Sequence, residues 1–339
     1  MKILIIRTDK LGDFYVSLPF INSLIRKYDK SNIDIVLSES IYKHFSSKKY
    51  LYNRIYSYPK KNILKKIKLI NNLRKKSYDK ILVFDGKDGS IFLTYFLKSS
   101  LNLILVEKRK INFLTKLLLN KKKFKFFIND KIESYHAIYK KMISYCKVEY
   151  IIEDCKILKH KNLSFVSCLK NYNIESKTFS QIHLDEKWFI NTYINHYTDI
   201  NLKEKYFVDF LLDVINIKKK KLIVTTGILK LPFLENLKNK YFTKVNENLY
   251  EYNFNINIIL LLNSSIDDLE SIAINAANII TCNGPISQIA CYYDINLIDI
   301  LEKKLEFWYD RHISNKKNYN KLFRKDFNEL SKEILNKIK

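Results

Sequence analysis

The sequence predicts an α/β chain of two doubly wound halves. In the first half, short apolar runs such as residues 3–6 and 33–37 alternate with helical patterns such as residues 13–28. That alternation over short connections is typical of a parallel sheet with helices on both faces. The pattern restarts near residue 221. A second sheet is therefore expected, with a ligand cleft between the halves at the carboxyl ends of the strands.

The predicted elements follow the chain in order. The first half contains strands at 2–7, 33–37, 81–84, 103–106 and 125–128, with helices at 13–28, 61–76 and 135–145. The second begins with a helix at 185–197, followed by strands at 221–224, 258–262, 279–281 and 295–300 and helices at 232–240, 267–275, 287–292 and 325–338. A polar stretch at 171–180 separates them. We therefore expect domains at 1–175 and 176–339, with the last helix able to pack back toward the first domain.

The charge is strongly positive but diffuse. The chain carries 60 Lys and Arg residues against 35 Asp and Glu residues, a formal net charge of +25, and only seven of the bases are Arg. A dedicated nucleic-acid binder concentrates its bases on one element, whereas these are spread along the chain, so nucleic acid is a disfavoured partner. A positive field favours anionic partners such as nucleoside diphosphates, phosphosugars or an anionic membrane surface.

Cysteine usage and hydropathy indicate a compartment. The five cysteines contain no CxxC pair and the six histidines do not cluster with them, which predicts a reducing compartment and no structural zinc. The apolar run at 3–6 is too short for a signal peptide, and no stretch has the length of a bilayer span. We expect a cytoplasmic protein, with peripheral contact at the inner face of the membrane as an open alternative.

Glycine is scarce, and its few positions mark candidate sites. Average usage would give roughly 24 glycines in this length, but the chain has five: Gly12, Gly86, Gly89, Gly227 and Gly284. Because glycine allows backbone conformations and close approaches that other residues resist, positions that keep it are where we look for function.

The first motif is Arg7-Thr8-Asp9-Lys10-Leu11-Gly12-Asp13, which follows a buried strand. Asp13 has two interpretations. At the start of a helix it caps free N–H groups and complements the helix dipole. Alternatively, it projects from the carboxyl end of the strand as a general base. From spacing alone, capping is favoured because it is the commoner cause.

The second motif, Thr225-Thr226-Gly227-Ile228-Leu229-Lys230-Leu231-Pro232, joins a strand to a helix. Two hydroxyls, free backbone N–H groups and a Lys suit a diphosphate. The GxxxxGK(S/T) spacing of a P-loop is absent. The alternative is an ordinary strand–helix connection with a surface Lys, since Lys makes up about one residue in six.

The third motif is Cys282-Asn283-Gly284-Pro285-Ile286-Ser287, between an apolar strand and an apolar helix. A helix N-terminus presents unpaired N–H groups and so binds anions. A tight turn that needs Gly for its conformation explains the same residues equally well.

Together these motifs resemble glycosyltransferase family 9, the family of the ADP-heptose:lipopolysaccharide heptosyltransferases. The opening ILIIRTDKLGD matches the family's apolar strand followed by R-x-D-x-x-G-D. The central TTG..K.P and the late AANIITCNGPISQIA are similar to two further family segments. The stretch from Tyr78 to Gly86 is similar to a fourth, so the resemblance spans most of the chain.

The resemblance implies a GT-B architecture, in which two Rossmann-like domains face a central cleft, the first binding acceptor and the second binding nucleotide sugar. It implies inversion by direct displacement with Asp13 as general base, no metal, and no cofactor besides the nucleotide-diphosphate sugar. The implied acceptor-side residues are Arg7, Asp9, Lys10, Gly12 and Gly86. The implied donor-side residues are Thr225, Thr226, Gly227, Lys230, Cys282, Asn283, Gly284, Pro285 and Ser287.

The donor half departs from the family pattern. Where the family commonly has D-S-G-P-x-H, Cys282 replaces the acidic residue and Ser287 replaces the His. The segment from Lys230 to Pro232 is one residue short and lacks the family's Trp. The sequence thus predicts a transferase that moves a heptose or related sugar to a lipopolysaccharide or another surface glycan. The alternative is a degenerate homologue that binds without catalysis.

Overall fold

The computed structural model describes residues 1–46, 52–108, 122–130, 132–151, 166–189, 196–228, 231–293, 295–313 and 317–338, without the side chains of residues 167, 168 and 170. The chain divides into two compact units, Met1–Ile157 and Leu158–Lys339. This division falls before the predicted boundary after residue 175. The assignment of acceptor and donor binding to the two parts stays a prediction.

The first unit is built on a parallel sheet of six strands in the order β3-β2-β1-β4-β5-β6. The strands are β1 (Ile3–Arg7), β2 (Ile33–Ser38), β3 (Arg54–Tyr58), β4 (Ser77–Val83), β5 (Lys98–Glu107) and β6 (Phe124–Asn129). The helices are α1 (Leu11–Tyr28), α2 (Glu39–Phe45), α3 (Ile63–Arg74), α4 (Asp88–Tyr95) and α5 (Tyr135–Ser144). This is the Rossmann strand order: the chain adds strands outward on one side of β1 and then continues on the other side from β4, so the strand order reverses between β1 and β4.

The second unit contains eight strands in the order β14-β13-β12-β7-β8-β11-β10-β9. They are β7 (Phe179–Leu184), β8 (Lys221–Thr226), β9 (Phe242–Lys244), β10 (Leu249–Tyr252), β11 (Asn255–Leu261), β12 (Asn278–Cys282), β13 (Asn296–Leu301) and β14 (Tyr319–Phe323). The helices are α6 (Glu204–Lys218), α7 (Pro232–Tyr241), α8 (Ile266–Asn275), α9 (Pro285–Tyr292), α10 (Glu306–Asp310) and α11 (Phe327–Ile338). The strands β9 and β10 pair antiparallel beside β11, whereas the other six are parallel and repeat the order of the first unit. Its strand order reverses between β7 and β12.

Both units confirm the predicted α/β class. The residues Ile3–Ile6 of β1 are fully buried, as are Ile279 and Ile280 of β12. Continuous burial along a strand is typical of a parallel sheet that is covered by helices on both faces. No helix in the described ranges combines the length and the apolar character that crossing a membrane requires.

The last helix, α11, packs into the core of the second unit. Its buried residues Phe327, Leu330 and Ile334 belong to the same apolar cluster as Phe207 and Phe210 of α6. The ring of Phe327 lies 6.1 Å from that of Phe207 and 5.5 Å from that of Phe210. This is the helix that the sequence allowed to pack back toward the first domain.

One central strand was missed by sequence reasoning. Residues 179–184 form β7, although we expected a connection through residue 180 and a helix at 185–197. Strand β7 mixes three polar residues, Ser180, Gln181 and His183, with three apolar ones, and all six are buried. The Gln181 amide donates to the Thr225 hydroxyl at 3.0 Å, and His183 Nδ1 lies 3.1 Å from the same oxygen. Residues Glu186–Trp188 form a single 3₁₀ turn, and residues 190–195 lie outside the described part of the chain.

The start of α1 also differs from the prediction. The helix begins at Leu11 rather than at residue 13, and Lys10 occupies the N-cap position without a side-chain capping bond. Asp13 is the third helical residue. The prediction that it caps the helix is therefore wrong, although its charge still lies in the first turn and complements the dipole. The strands β3, β9, β10 and β14 and the helices α2, α4, α6 and α10 were not predicted either.

Candidate functional site

The carboxyl ends of β1 and β4 hold a buried charged network in the first unit. Arg7 ends β1 and is 3% exposed, and its guanidinium donates to the Tyr139 hydroxyl at 2.8 Å. It also donates to the backbone oxygens of Phe84 and Asp13. Arg7 therefore ties the end of β1 to the residue after β4 and to the first turn of α1.

Asp9 is the ionic partner of Arg7. The Arg7 Nε and Asp9 Oδ1 atoms are 3.0 Å apart. Burial raises the pKa of Asp9 to about 7, against the opposing effect of Arg7, and the carboxylates of Asp13 and Asp85 raise it further.

The loop after β4 is organised around Asp85. Its carboxylate accepts from the Thr8 backbone N–H at 2.7 Å and from the Thr8 and Ser90 hydroxyls at 2.8 Å each. Gly86 follows with φ +59°, and a Cβ there would lie 2.8 Å from the Leu105 backbone oxygen. Residue 86 thus needs glycine, as we expected, and the loop is fixed against both β1 and β5.

Asp13 has a fixed backbone and an uncommitted carboxylate. Its backbone oxygen accepts from Arg7, and its side chain is half-buried. Within the described ranges, no hydrogen bond to the Asp13 carboxylate is present. A carboxylate that is positioned but not bonded can accept a proton from a substrate hydroxyl. The strand order of the first unit reverses between β1 and β4, and we call the carboxyl ends of these two strands its switch point. Four of the predicted acceptor-side residues lie there: Arg7, Asp9, Gly12 and Gly86. The fifth, Lys10, is exposed at its rim.

The equivalent switch point of the second unit brings together the ends of β7 and β12. Lys187 follows β7, and its ammonium donates to the Asn283 backbone oxygen and lies 3.7 Å from the Asp185 carboxylate. A Cβ on Gly284, the N-cap residue of α9, would be 3.3 Å from Lys187 Nζ. The ammonium therefore adjoins the positive end of α9, and the two together attract an anion.

Lys187 was missed because β7 was missed. Once residues 179–184 are known to form a strand, the Asp185-Glu186-Lys187-Trp188 segment stands at its carboxyl end, where ligands bind in doubly wound sheets. The sequence did contain a local signal for this site: three charged residues directly follow Leu184, and the buried Trp188 comes after them.

Asp299 fixes the turn that precedes α9. Its buried carboxylate accepts from the Ser287 hydroxyl at 2.9 Å and from the Asn283 amide and the Tyr319 hydroxyl at 3.1 Å each. Burial raises the pKa of Asp299 to about 6, against the effect of those hydrogen bonds. Ser287, which stands where the family has His, therefore connects Gly284 to Asp299, since its oxygen also accepts from the Gly284 N–H at 3.3 Å.

We expect Asp299→Asn to flatten part of the pH dependence of stability. The pKa of Asp299 lies above its ordinary value of 3.8, so the folded chain binds more protons than the unfolded chain between about pH 4 and 6. The free energy of unfolding falls as the pH rises through that window. Melting temperatures across this range should fall less steeply for Asp299→Asn than for the unmodified chain. The exposed control Asp213→Asn should keep the original slope, and an unchanged slope in Asp299→Asn would contradict the assignment.

Cys282 lies beside a buried Arg where the family has an acidic residue. Burial raises the pKa of the Cys282 thiol well above its ordinary value, so the thiol is neutral. Arg324 Nη1 lies 3.9 Å from its sulfur, and Arg324 also donates to the backbone oxygens of Thr198, at 2.7 Å, and of Lys187. Arg324 is 6% exposed, and its Nη2 has no hydrogen-bond partner among the residues described. A buried guanidinium with an unused N–H suits an anionic ligand.

The central threonines lie one strand away from this switch point. Thr225 is fully buried, with its hydroxyl committed to Gln181 and His183. The Thr226 hydroxyl donates to the Gly227 oxygen at 3.0 Å and accepts from the Asn263 N–H at 3.3 Å. A Cβ on Gly227 would meet nothing within 4 Å, so the expectation that this position needs glycine is wrong. Lys230 lies outside the described residues, and the predicted donor role of the segment stays a prediction.

A cavity of about 650 Å³ lies next to this segment. It is formed at the start of α7 and at the ends of β10 and β11, and its lining includes Pro232, Lys238, Asn248, Tyr250 and Asn263. Since the Asn263 N–H bonds to the Thr226 hydroxyl, the second motif supports one wall of the cavity.

Comparison with known proteins establishes the fold. No family model and no curated protein sequence matches this chain. Among solved structures, it is similar to the glycosyl transferase family 9 protein from Veillonella parvula, with a TM-score of 0.67, 12% identity and coverage of 99% of this chain and 90% of that one. It is similar to E. coli ADP-heptose lps heptosyltransferase II, with a TM-score of 0.66, 13% identity and coverage of 100% of this chain and 97% of that one. It is also similar to E. coli heptosyltransferase WaaC with ADP, with a TM-score of 0.65, 12% identity and coverage of 99% of this chain and 100% of that one. The family resemblance is thus confirmed at the level of the fold, two Rossmann-like units of the GT-B class.

Proposed function

We propose that the chain is an inverting glycosyltransferase that moves a heptose or related sugar from a nucleoside-diphosphate donor to a lipopolysaccharide or another anionic surface glycan. The observation that carries the proposal is the chemistry at the two switch points: an unbonded carboxylate, Asp13, at one, and an ammonium at a helix N-terminus, Lys187, at the other. The likeness in fold to proteins named as heptosyltransferases supports the choice of sugar class.

On the donor side, Lys187, the N-terminus of α9 and Arg324 bind the diphosphate. Negative charge accumulates on the leaving diphosphate in the transition state, so cations and N–H donors fixed there lower the barrier selectively. The positive charges of Lys187 and Arg324 thereby neutralise the leaving group in place of a metal ion. We therefore assign the diphosphate contact to Lys187 rather than to Lys230. We assign the nucleoside to the cavity at the start of α7, one wall of which bonds to Thr226 of the second motif.

On the acceptor side, Asp13 takes the proton of the acceptor hydroxyl. The hydroxyl oxygen forms its bond to the anomeric carbon while the carbon–oxygen bond to the diphosphate breaks, and that electron pair leaves with the diphosphate. Attack opposite the leaving group inverts the anomeric centre. Arg7 holds the backbone of Asp13, which keeps the carboxylate in position.

The test is a panel of ADP, UDP, GDP and CDP, followed by their sugar conjugates with lipooligosaccharide acceptors. A ligand at 100 times its Kd adds about 2.7 kcal/mol of stability, so for a chain of 339 residues the matching nucleotide should raise the melting temperature by about 4 °C. Release of diphosphate that depends on acceptor supports the transferase. Stabilisation without release favours the non-catalytic homologue, which the replacements at Cys282 and Ser287 motivate. No stabilisation by any nucleotide or nucleotide sugar would overturn the transferase proposal and favour a homologue that has lost donor binding.

The proposed acceptor, a glycan linked to a membrane, indicates where in the cell the chain acts. Nucleotide sugars and reduced thiols are both found in the cytoplasm, and Cys146, Cys282 and Cys291 are buried without disulfides. The proposed function therefore locates the chain in the cytoplasm, at the inner face of the membrane that carries the acceptor.

A further inference from the structure

The outward face of α3 carries exposed apolar side chains. Ile63, Leu64 and Ile67 are 70%, 78% and 48% exposed. None of the helical residues 63–68 is buried, and the helix is held to the core by Leu69 and Leu73. Single exposed apolar residues are normal, but three on adjacent turns of a helix form a patch that marks an interaction surface.

The same segment is exclusively basic in its charges. Residues 60–76 contain eight Lys and Arg residues and no Asp or Glu. Lys76 is ion-paired with Asp34 at 2.6 Å, and Lys66 lies over the Tyr58 ring at 5.6 Å. The other six have no ion pair with any described residue; they are Lys60, Lys61, Lys65, Lys68, Arg74 and Lys75. Their charges therefore remain available to an external anion.

The helix α4 lies on the same face of the first sheet as α3. The buried residues Leu69 and Leu73 of α3 and Ile91 of α4 belong to one apolar cluster, so the two helices cover the same face of the first sheet. On the solvent side, α4 adds Phe92 and Tyr95, which are 47% and 42% exposed. We define the α3–α4 surface as Ile63, Leu64, Ile67, Phe92 and Tyr95 with the six unpaired bases.

We propose that the α3–α4 surface docks onto an anionic phospholipid bilayer. Aliphatic and aromatic side chains enter the interface between headgroups and acyl chains, while Lys and Arg contact lipid phosphates. Charge complementarity selects an anionic lipid. A nucleic acid would bind the Lys and Arg residues but gain nothing from Ile63, Leu64 and Ile67, since aliphatic side chains do not stack on nucleobases. This proposal stands apart from the transferase proposal, because it needs no nucleotide and no acceptor.

The experiment is flotation of the full chain with vesicles of phosphatidylglycerol and phosphatidylcholine in equal amounts, against vesicles of phosphatidylcholine alone. The unmodified chain should float only with the anionic vesicles. Each base near an anionic surface strengthens binding about fivefold, so Lys65→Gln with Lys68→Gln should weaken it about 25-fold. The triple variant Ile63→Ser, Leu64→Ser, Ile67→Ser should lose at least about tenfold, because it removes the inserted side chains.

Matched controls separate this surface from the general positive charge. Lys240→Gln with Lys244→Gln removes two exposed bases from the second unit, and Phe254→Ser with Ile256→Ser removes two side chains that are 82% and 70% exposed. Both should bind vesicles like the unmodified chain. All of the replaced residues are at the surface, so unchanged melting temperatures verify the fold. The proposal is overturned if no vesicle binding occurs, or if the variants and the controls lose binding equally. It is also overturned if the Lys variant loses vesicle binding but the triple Ile and Leu variant keeps it, because purely electrostatic binding is what a surface for RNA would show.

Discussion

Asp13→Asn is expected to lower the turnover of sugar transfer about 10²–10⁴-fold, the usual contribution of a positioned general base. Asn has nearly the same shape but cannot take a proton. The Asp13 side chain makes no hydrogen bond to the described residues, and only its backbone oxygen is held, by Arg7. The substitution should therefore leave the melting temperature and the affinity for nucleoside diphosphate almost unchanged. Turnover and nucleotide affinity are measured on the same preparation.

The matched control is Asp88→Asn. Asp88 is exposed in the first turn of α4, as Asp13 lies in the first turn of α1. Both changes remove one negative charge from a helix N-terminus, so a general dipole effect would appear in both. Near-full turnover in Asp13→Asn would show that another group takes the proton. The neighbouring Asp9, whose pKa is raised to about 7, would be the next to replace.

Lys187→Gln is expected to lower the affinity for nucleoside diphosphate about 10–100-fold, and turnover by about 10²–10³. The ammonium adjoins the N-cap of α9 and is held by the Asn283 backbone oxygen. A neutral amide keeps a donor for that oxygen but loses the charge. Calorimetric titration with the nucleotide found in the panel measures the binding loss.

Two further variants make this result specific. Lys187→Arg keeps the charge beside Asp185 and the N-cap of α9 and should recover part of the binding. Lys230→Gln tests the original sequence-based assignment directly. A large loss in Lys230→Gln together with a small one in Lys187→Gln would return the diphosphate contact to the second motif.

The fold was largely predictable because buried parallel strands leave a plain signal. The apolar runs at β1, β2, β8 and β12 were found close to their observed bounds. The strand β7 was not found, because Gln181 and His183 interrupt its apolar pattern and hydrogen-bond to Thr225, which lies 42 to 44 residues away along the chain. No local pattern reveals a hydrogen bond of that range.

The candidate site was predictable where one motif contains it and not where the topology assembles it. Arg7, Asp9 and Asp13 lie within seven residues and were identified together. Lys187 meets Gly284 only because β7 and β12 are neighbours in the sheet. Likewise, the Asp299 carboxylate that holds Ser287 and Asn283 comes from β13.

The strand order also bears on how the chain resists association with other copies of itself. The outermost strands of the two sheets are β3 and β6, and β9 and β14. Each contains one base: Arg54, Lys125, Lys244 and Lys321 respectively. An edge strand exposes unpaired backbone groups that can template pairing with another chain, and a charged side chain there opposes such pairing. Three of the dispersed lysines and Arg54 thus protect the four edges against cross-chain aggregation.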